Sequence, residues 1–306
     1  MKRVRSYKEF IEKIKKKLKN KKDIAVKVYG RVKEKGKIYF LYKIQSKNIQ
    51  QKDKFLVITT GFHGEEPQGP ITIQNHEKRI LDYANENGVK IIIYPCINPS
   101  GFEYNKRYNL SNESPNNYFI YYKLKSKKSS LEIPYKTKFE KYIEIDKTKL
   151  RKQMPKESIL LIRDLKKILK KKEPEAILDI HQDDETPKDT HYVIITGEKR
   201  KEYRKIMTKI GKYVKILKNI SLKPSFKKIY GIKNSKELQK KIQKAYQLDQ
   251  NGIMTIHDGT ITDFLHKKGA KHAIAIETNI KMSPKTAQKI NLLWIKEMID
   301  LIGRER

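Results

Sequence analysis

The stretch 55-FLVITTGFHGEEPQG-69 decides how this chain is read. Phe55 to Ile58 form a short apolar run that ends in a glycine-bounded turn, the pattern of a buried strand. The turn then carries His63, Glu65 and Glu66. In a lysine-rich chain these are scarce groups, and they stand at the end of a core strand rather than on a solvated face.

Working outward, the same arrangement recurs. The run "IIIYPC" leads to Asn98, "AILDI" leads to His181, and "AIAI" leads to Glu277. In an open α/β sheet, ligands gather at the carboxyl ends of the strands. Two histidines and a carboxylate can hold Zn²⁺ with a fourth position open. A further carboxylate can then take a proton from water activated there. The motif His63-x-x-Glu66 alone has a high chance rate. Its weight comes from the order in which His63, Glu66, His181 and Glu277 follow three separate strands. Asp179 precedes His181 by two positions and so shares its face of the strand. It is either an orienting partner for a ligand or a plain strand-end aspartate.

The remaining pattern is that of an α/β protein. Tyr7, Phe10, Ile11, Ile14 and Leu18 fall at helical spacing, and the helix they form is expected to dock on the protein's own core. "DIAVKVYGRVKEKGKIYFLYKI" reads as a β-hairpin. Helices are expected over Pro67 to Tyr83, Lys156 to Lys171 and Glu198 to Leu217. A short one is expected in "TITDFLHKKG", ending at Gly269, and a last one after Ser283 and Pro284. "VKIIIYPCINP", "EAILDIH", "THYVIIT" and "HAIAIET" read as strands. Strands alternating with helices after a hairpin imply a three-layer α/β/α sandwich with a mixed central β-sheet. Residues 110–155 and 218–250 show no clear period and are expected to be irregular insertions over one face. With no repeat and no linker, residues 1–306 read as a single domain.

Composition sets the outer bounds. The chain has 306 residues, 37% hydrophobic and 34% charged, with a formal net charge of +35. Such a charge attracts polyanions or an acidic substrate. The lysines are spread along the whole chain, which equally fits a composition bias shared with Ile, Asn and Tyr. No nucleic-acid-binding motif is recognisable, so no specific nucleic-acid partner is expected. The lone Cys96 lies in an apolar run and reads as a small buried hydrophobe. The N-terminal stretch is basic without an apolar segment, so it does not read as a secretory signal. No run reaches the length of a membrane span. The expected location is the cytoplasm.

On these residues the sequence resembles the zinc carboxypeptidases of the M14 type and their relatives, including the succinylglutamate desuccinylase and aspartoacylase group. "TGFHGEEPQG" resembles the family's first zinc-ligand loop. "INPSGFEYNKRYN" resembles the segment leading to a substrate-binding arginine. "LDIHQD" resembles the strand that ends in the third ligand. "DGTITDFLHKKGAKHAIAIETN" resembles the segment carrying the general base. The resemblance implies one catalytic zinc on His63, Glu66 and His181, Glu277 as general base, and Arg107 as the group that stabilises the oxyanion. It implies the α/β/α carboxypeptidase fold and hydrolysis of an amide bond.

The match has gaps. The family's substrate-clamping Asn-Arg pair falls on Asn116, expected to bind substrate, and on Asn117 where the arginine stands. Ser114 or Glu113 occupies the place of an aspartate that supports a zinc histidine. Thr255 or His257 falls where a tyrosine is expected, and Tyr118, Tyr121 or Tyr122 can supply a hydroxyl instead. Glu65 is expected to face solvent or to stand behind the ligands. His76, His191, His257, His266 and His272 are expected to be structural or exposed. The leading expectation is therefore a zinc metallopeptidase acting on a peptide, with an acidic one favoured by the charge. An N-acyl amino-acid deacylase on the same fold is the alternative: the missing arginine favours it, while the lack of a further β-domain after the base-bearing strand opposes it. A non-catalytic relative that binds polyanions such as RNA is the third reading.

Overall fold

A computed structural model describes residues 3–116, 118–144, 154–198, 200–222 and 236–304. Helices are α1 (Tyr7–Leu18), α2 (Gln68–Glu86), α3 (Pro99–Tyr104), α4 (Lys156–Leu169), α5 (Arg200–Ile210), α6 (Lys236–Ala245), α7 (Ile261–His266) and α8 (Pro284–Arg304). The long strands are β1 (Ile24–Glu34), β2 (Lys37–Ser46), β3 (Lys54–Thr60), β4 (Val89–Tyr94), β9 (Ala176–Asp183), β10 (Thr190–Thr196), β12 (Ile253–His257) and β13 (His272–Asn279). Shorter ones are β5 (Ile120–Lys123), β6 (Ser129–Ser130), β7 (Ile133–Pro134), β8 (Lys141–Glu144) and β11 (Lys215–Ile216).

The central sheet runs β1-β2-β4-β3-β9-β13-β10-β12-β7, with β11 also paired to β10. Its heart is parallel: β3 pairs with β4 and β9, and β9 with β13. The hairpin β1–β2 adds antiparallel strands on one side, and β10 is antiparallel to β13 on the other. Alternation along each strand splits the core in two. Leu56, Ile58, Leu178, Ile180, Ile274 and Ile276 face α1, α2, α5 and α8. Phe55, Val57, Ile177 and Ala273 face α4, α6, α7 and a small sheet of order β6-β5-β8. The architecture is the expected α/β/α sandwich on a mixed sheet. Helix α1 packs its stripe Tyr7, Phe10, Ile11, Ile14 and Leu18 into the first of these cores. Among the described residues no helix is long and apolar enough to cross a membrane.

Three local readings change. The helix expected to run to Leu217 stops at Ile210. Gly211 follows, weak in helix propensity, and the chain then enters β11, which pairs with Thr190 and His191 at the start of β10. The stretch 110–155, which shows no clear period, carries the small sheet, and β7 extends the main one at β12. Strands of two to four residues are too short to show alternation. Within 218–250, α6 is helical, while 223–235 lies outside the described residues, as do 145–153.

Candidate metal centre and active site

Four segments converge at the carboxyl ends of β3, β4, β9 and β13. The turn after β3 and the turn after β4 are stitched together by backbone bonds. Ile97 N donates to Thr60 O at 3.1 Å, Asn98 N to Gly61 O at 2.9 Å, and Gly64 N to Lys106 O at 2.9 Å. At Gly64 the two turns touch: a Cβ there would lie 1.9 Å from the Gly101 carbonyl carbon, so only glycine fits. Asn98 is the knot. Its Oδ1 caps α3 at Gly101 N (2.8 Å), and its Nδ2 donates to the carbonyls of Phe62 (3.2 Å) and Arg107 (3.3 Å).

This frame brings His63, Glu66 and His181 together. One ligand atom of each lies within 4.8 Å of the others, and among the described residues no other such group occurs. All three are buried. His181 Nε2–H donates to Asp179 Oδ2 at 2.9 Å, and Asp179 Oδ1 in turn accepts from the Thr59 hydroxyl at 2.8 Å. The other ring nitrogen, Nδ1, is 2.9 Å from Glu66 Oε2, which also accepts from Gln182 N at 3.1 Å. Asp179 is thus the orienting partner of His181, and the plain strand-end reading falls. Burial alone would lower the His181 pKa. The Asp179 and Glu66 carboxylates outweigh it and hold it well above the ordinary value, so this pocket favours positive charge.

His63 is oriented differently. Its ring lies beside the backbone carbonyl of Arg107, and its Nδ1 is buried with no hydrogen-bond partner. Burial, then the Arg107 and His181 charges, hold it well below its ordinary pKa, so the imidazole is neutral. A main-chain carbonyl therefore stands where the resemblance leads one to expect an aspartate. Glu113 instead accepts from Asn109 at 3.0 Å. A neutral imidazole with an orphaned buried nitrogen, beside a second histidine and a carboxylate, is a donor set that fits Zn²⁺.

Glu277 lies across β13 from His181 in strict register, so both side chains leave the same face of the sheet. It is half-buried, and its Oε2 is shielded without a partner. Burial, with the nearby Glu66 and Asp183 charges, pushes its pKa well up against the pull of His181 and Arg107. Arg107 reaches the cluster from the other side. Its Nη1 is 3.2 Å from both Glu65 Oε1 and Glu66 Oε1, and its side chain is 43% exposed.

Other expected contributors stand apart. Asn116 has a buried, unpartnered Oδ1, and no hydrogen bond ties it to the cluster. Asn117 lies outside the described residues. The Tyr122 hydroxyl is committed to Asp263, 2.7 Å from each carboxylate oxygen, and His257 Nδ1 bonds the same group at 2.8 Å. The tyrosine beside Glu277 is Tyr192, its in-register neighbour on β10, whose phenol feels the Glu277, Asp183 and Glu66 charges. Sequence reading passed over it because "THYVIIT" does not disclose which strand it pairs with. The other histidines are anchored as expected: His272 Nδ1 is 2.9 Å from the Tyr203 hydroxyl, and His266 Nδ1 is 3.1 Å from the Ala270 carbonyl.

No family model matches the chain, and no curated protein matches it in sequence. Solved structures do match. A candidate metallopeptidase from Shewanella denitrificans superposes with a TM-score of 0.68 at 18% identity, over 97% of this chain and 91% of that one. The fold is that of the metallo-carboxypeptidases. The Pseudomonas aeruginosa metallo-carboxypeptidase, solved with (2-guanidinoethylmercapto)succinic acid, gives 0.60 at 12% identity over 97% of this chain and 69% of that one. Thrombin activatable fibrinolysis inhibitor gives 0.61 at 13% identity, over 98% and 75%. The carboxypeptidase-like sandwich expected from the sequence is thus the one observed.

Proposed function

We propose that this chain is a zinc-dependent hydrolase of amide bonds, acting as one catalytic domain. His63, Glu66 and His181 hold the ion, with Asp179 and the Arg107 carbonyl fixing the two imidazoles. The observation that carries the reading is the orphaned, buried Nδ1 of His63 beside the His181–Glu66 pair. When bound, zinc polarises a substrate carbonyl and acidifies water.

The chain's own residues supply the rest. Glu277, with a raised pKa, accepts the proton of the attacking water and passes it to the leaving amine. Arg107 swings its guanidinium from Glu65 and Glu66 toward the oxygen on which negative charge develops. Its partial exposure leaves it free to do so. Tyr192 offers a hydroxyl beside Glu277. The substrate is a peptide or an N-acyl amino acid, and an acidic one suits the charge of the chain. Asn117, where the resemblance leads one to expect the carboxylate-clamping arginine, favours the deacylase reading over a strict carboxypeptidase. The buried thiol of Cys96 suits a reducing compartment, and we place the activity in the cytoplasm.

The test is zinc per chain in protein purified without added metal, beside His181→Ala. Near one zinc in the wild type and little in the variant supports the site. A folded wild type that refuses added zinc overturns it. A panel of peptides against N-acyl amino acids then separates peptidase from deacylase.

A further inference from the structure

Behind β13, on the face opposite the Glu277 carboxylate, one histidine joins three elements. His191 on β10 and Trp294 on α8 are both fully buried. His191 Nδ1–H donates to the main-chain carbonyl of Glu277 at 2.8 Å. Trp294 Nε1–H donates to His191 Nε2 at 2.9 Å. An indole nitrogen can only donate. Nε2 must therefore be the bare nitrogen, and Nδ1 must carry the proton. The indole thus sets the tautomer that the bond to Glu277 requires. Burial pushes the imidazole pKa down to about 3, so the ring stays neutral across ordinary pH.

The place of this bond matters. Pairing of β10 with β13 runs from Thr196↔Ala273 to His191↔Thr278, so Glu277 is one pair from the end of the ladder. Strand ends open more readily than strand centres. A general base needs its carboxylate held within a fraction of an ångström, by neighbours that are themselves packed in place. Here the packed neighbours are a histidine and the chain's one tryptophan, on two other elements.

We propose that His191, locked by Trp294, is a positioning residue for Glu277: by gripping its main-chain carbonyl it sets where the carboxylate points. The inference rests on Glu277 being the base. His191 never touches substrate, since its ring lies on the far side of the sheet.

His191→Phe keeps the ring volume and removes both bonds. Zinc content is expected to stay at the wild-type level, since no ligand is touched. On the best amide substrate, kcat is expected to fall on the order of 10- to 100-fold with KM within about twofold. Hydrogen exchange over residues 272–279 is expected to speed up, and the Trp294 emission to change as it loses its acceptor. His191→Asn returns an N–H near the place of Nδ1 and is expected to recover most of kcat and to slow the exchange. A purely structural role would lower zinc, kcat and stability together without that rescue. Unchanged kcat and unchanged exchange in His191→Phe overturn the proposal. If that variant does not fold, Trp294→Phe decides, because it releases the tautomer while leaving His191 in place. A severalfold loss of kcat at full zinc then supports the clamp, and wild-type kcat and exchange overturn it. If zinc-loaded wild type cleaves nothing on the panel, the hydrolase reading fails by itself. The exchange comparison alone then decides the clamp, and no acceleration overturns it.

Discussion

Asp179 Oδ2 lies 2.9 Å from His181 Nε2, and the two residues are one pleat apart on β9. The bond settles which ring nitrogen of His181 carries a proton and which faces Glu66 and His63. It also raises the basicity of the facing nitrogen. Removing such a partner commonly weakens metal binding about 10- to 100-fold. Asp179→Ala is therefore expected to lower zinc affinity by that order, and Asp179→Asn by less. Chelator competition measures it. Wild-type affinity in both variants would show that the contact is incidental.

Glu277 and His181 face each other across adjacent parallel strands, and on the proposed reading this places the base beside the ion rather than on it. Glu277→Gln keeps the shape and removes the ability to take a proton. Zinc should remain at the wild-type level while kcat falls about 10²- to 10⁴-fold. Full activity in this variant would mean that another group takes the proton. Loss of zinc would mean that Glu277 is a ligand.

Arg107 has two separable jobs. Its main-chain carbonyl lies beside His63, and its guanidinium is the group proposed to meet the developing oxyanion. Arg107→Ala should therefore leave zinc bound yet lower kcat about 10²- to 10³-fold, the usual cost of losing such a donor. Metal analysis beside steady-state kinetics reads both. If zinc is lost with the guanidinium, the Glu65 and Glu66 contacts at 3.2 Å hold the ligand loop together, and the assignment to the oxyanion fails.

The sheet and the candidate metal site were legible because they depend on patterns that survive in one dimension. Apolar runs such as Leu56–Ile58 and Ile91–Ile93 announce buried strands, and the polar residues that follow them, His63 and Asn98, mark the ends where the candidate site forms. What was hidden depends on pairing between distant segments. The Arg107 carbonyl that stands in for an aspartate is a backbone group, and no side-chain motif can show it. Tyr192 and His191 gain meaning only from the antiparallel register of β10 against β13, which puts one beside the Glu277 carboxylate and the other behind its carbonyl. The strands β5 to β8 are too short for alternation to stand out. The end of α5 at Ile210 was set by Gly211 and by the pairing of β11 with the start of β10, and only the first of these is in the local sequence.

The last prediction concerns Glu157, in the first turn of α4 and fully buried. Asn109 Nδ2 lies 3.4 Å from each carboxylate oxygen. Burial first, and then the Glu34 and Glu113 charges, push its pKa from 4.5 up to about 7. The folded protein therefore prefers the protonated acid. Below about pH 4.5 both states are protonated and Glu157 adds no penalty. As pH rises toward 7 the unfolded chain ionises first, so stability falls. Above pH 7 the penalty is complete, at most about 3 kcal/mol. Glu157→Gln should remove it. Denaturant unfolding is expected to show the variant more stable than wild type at pH 8, with the gap closing as pH falls to 4.5. A gap that does not change with pH would place the effect in packing around Asn109 rather than in the proton.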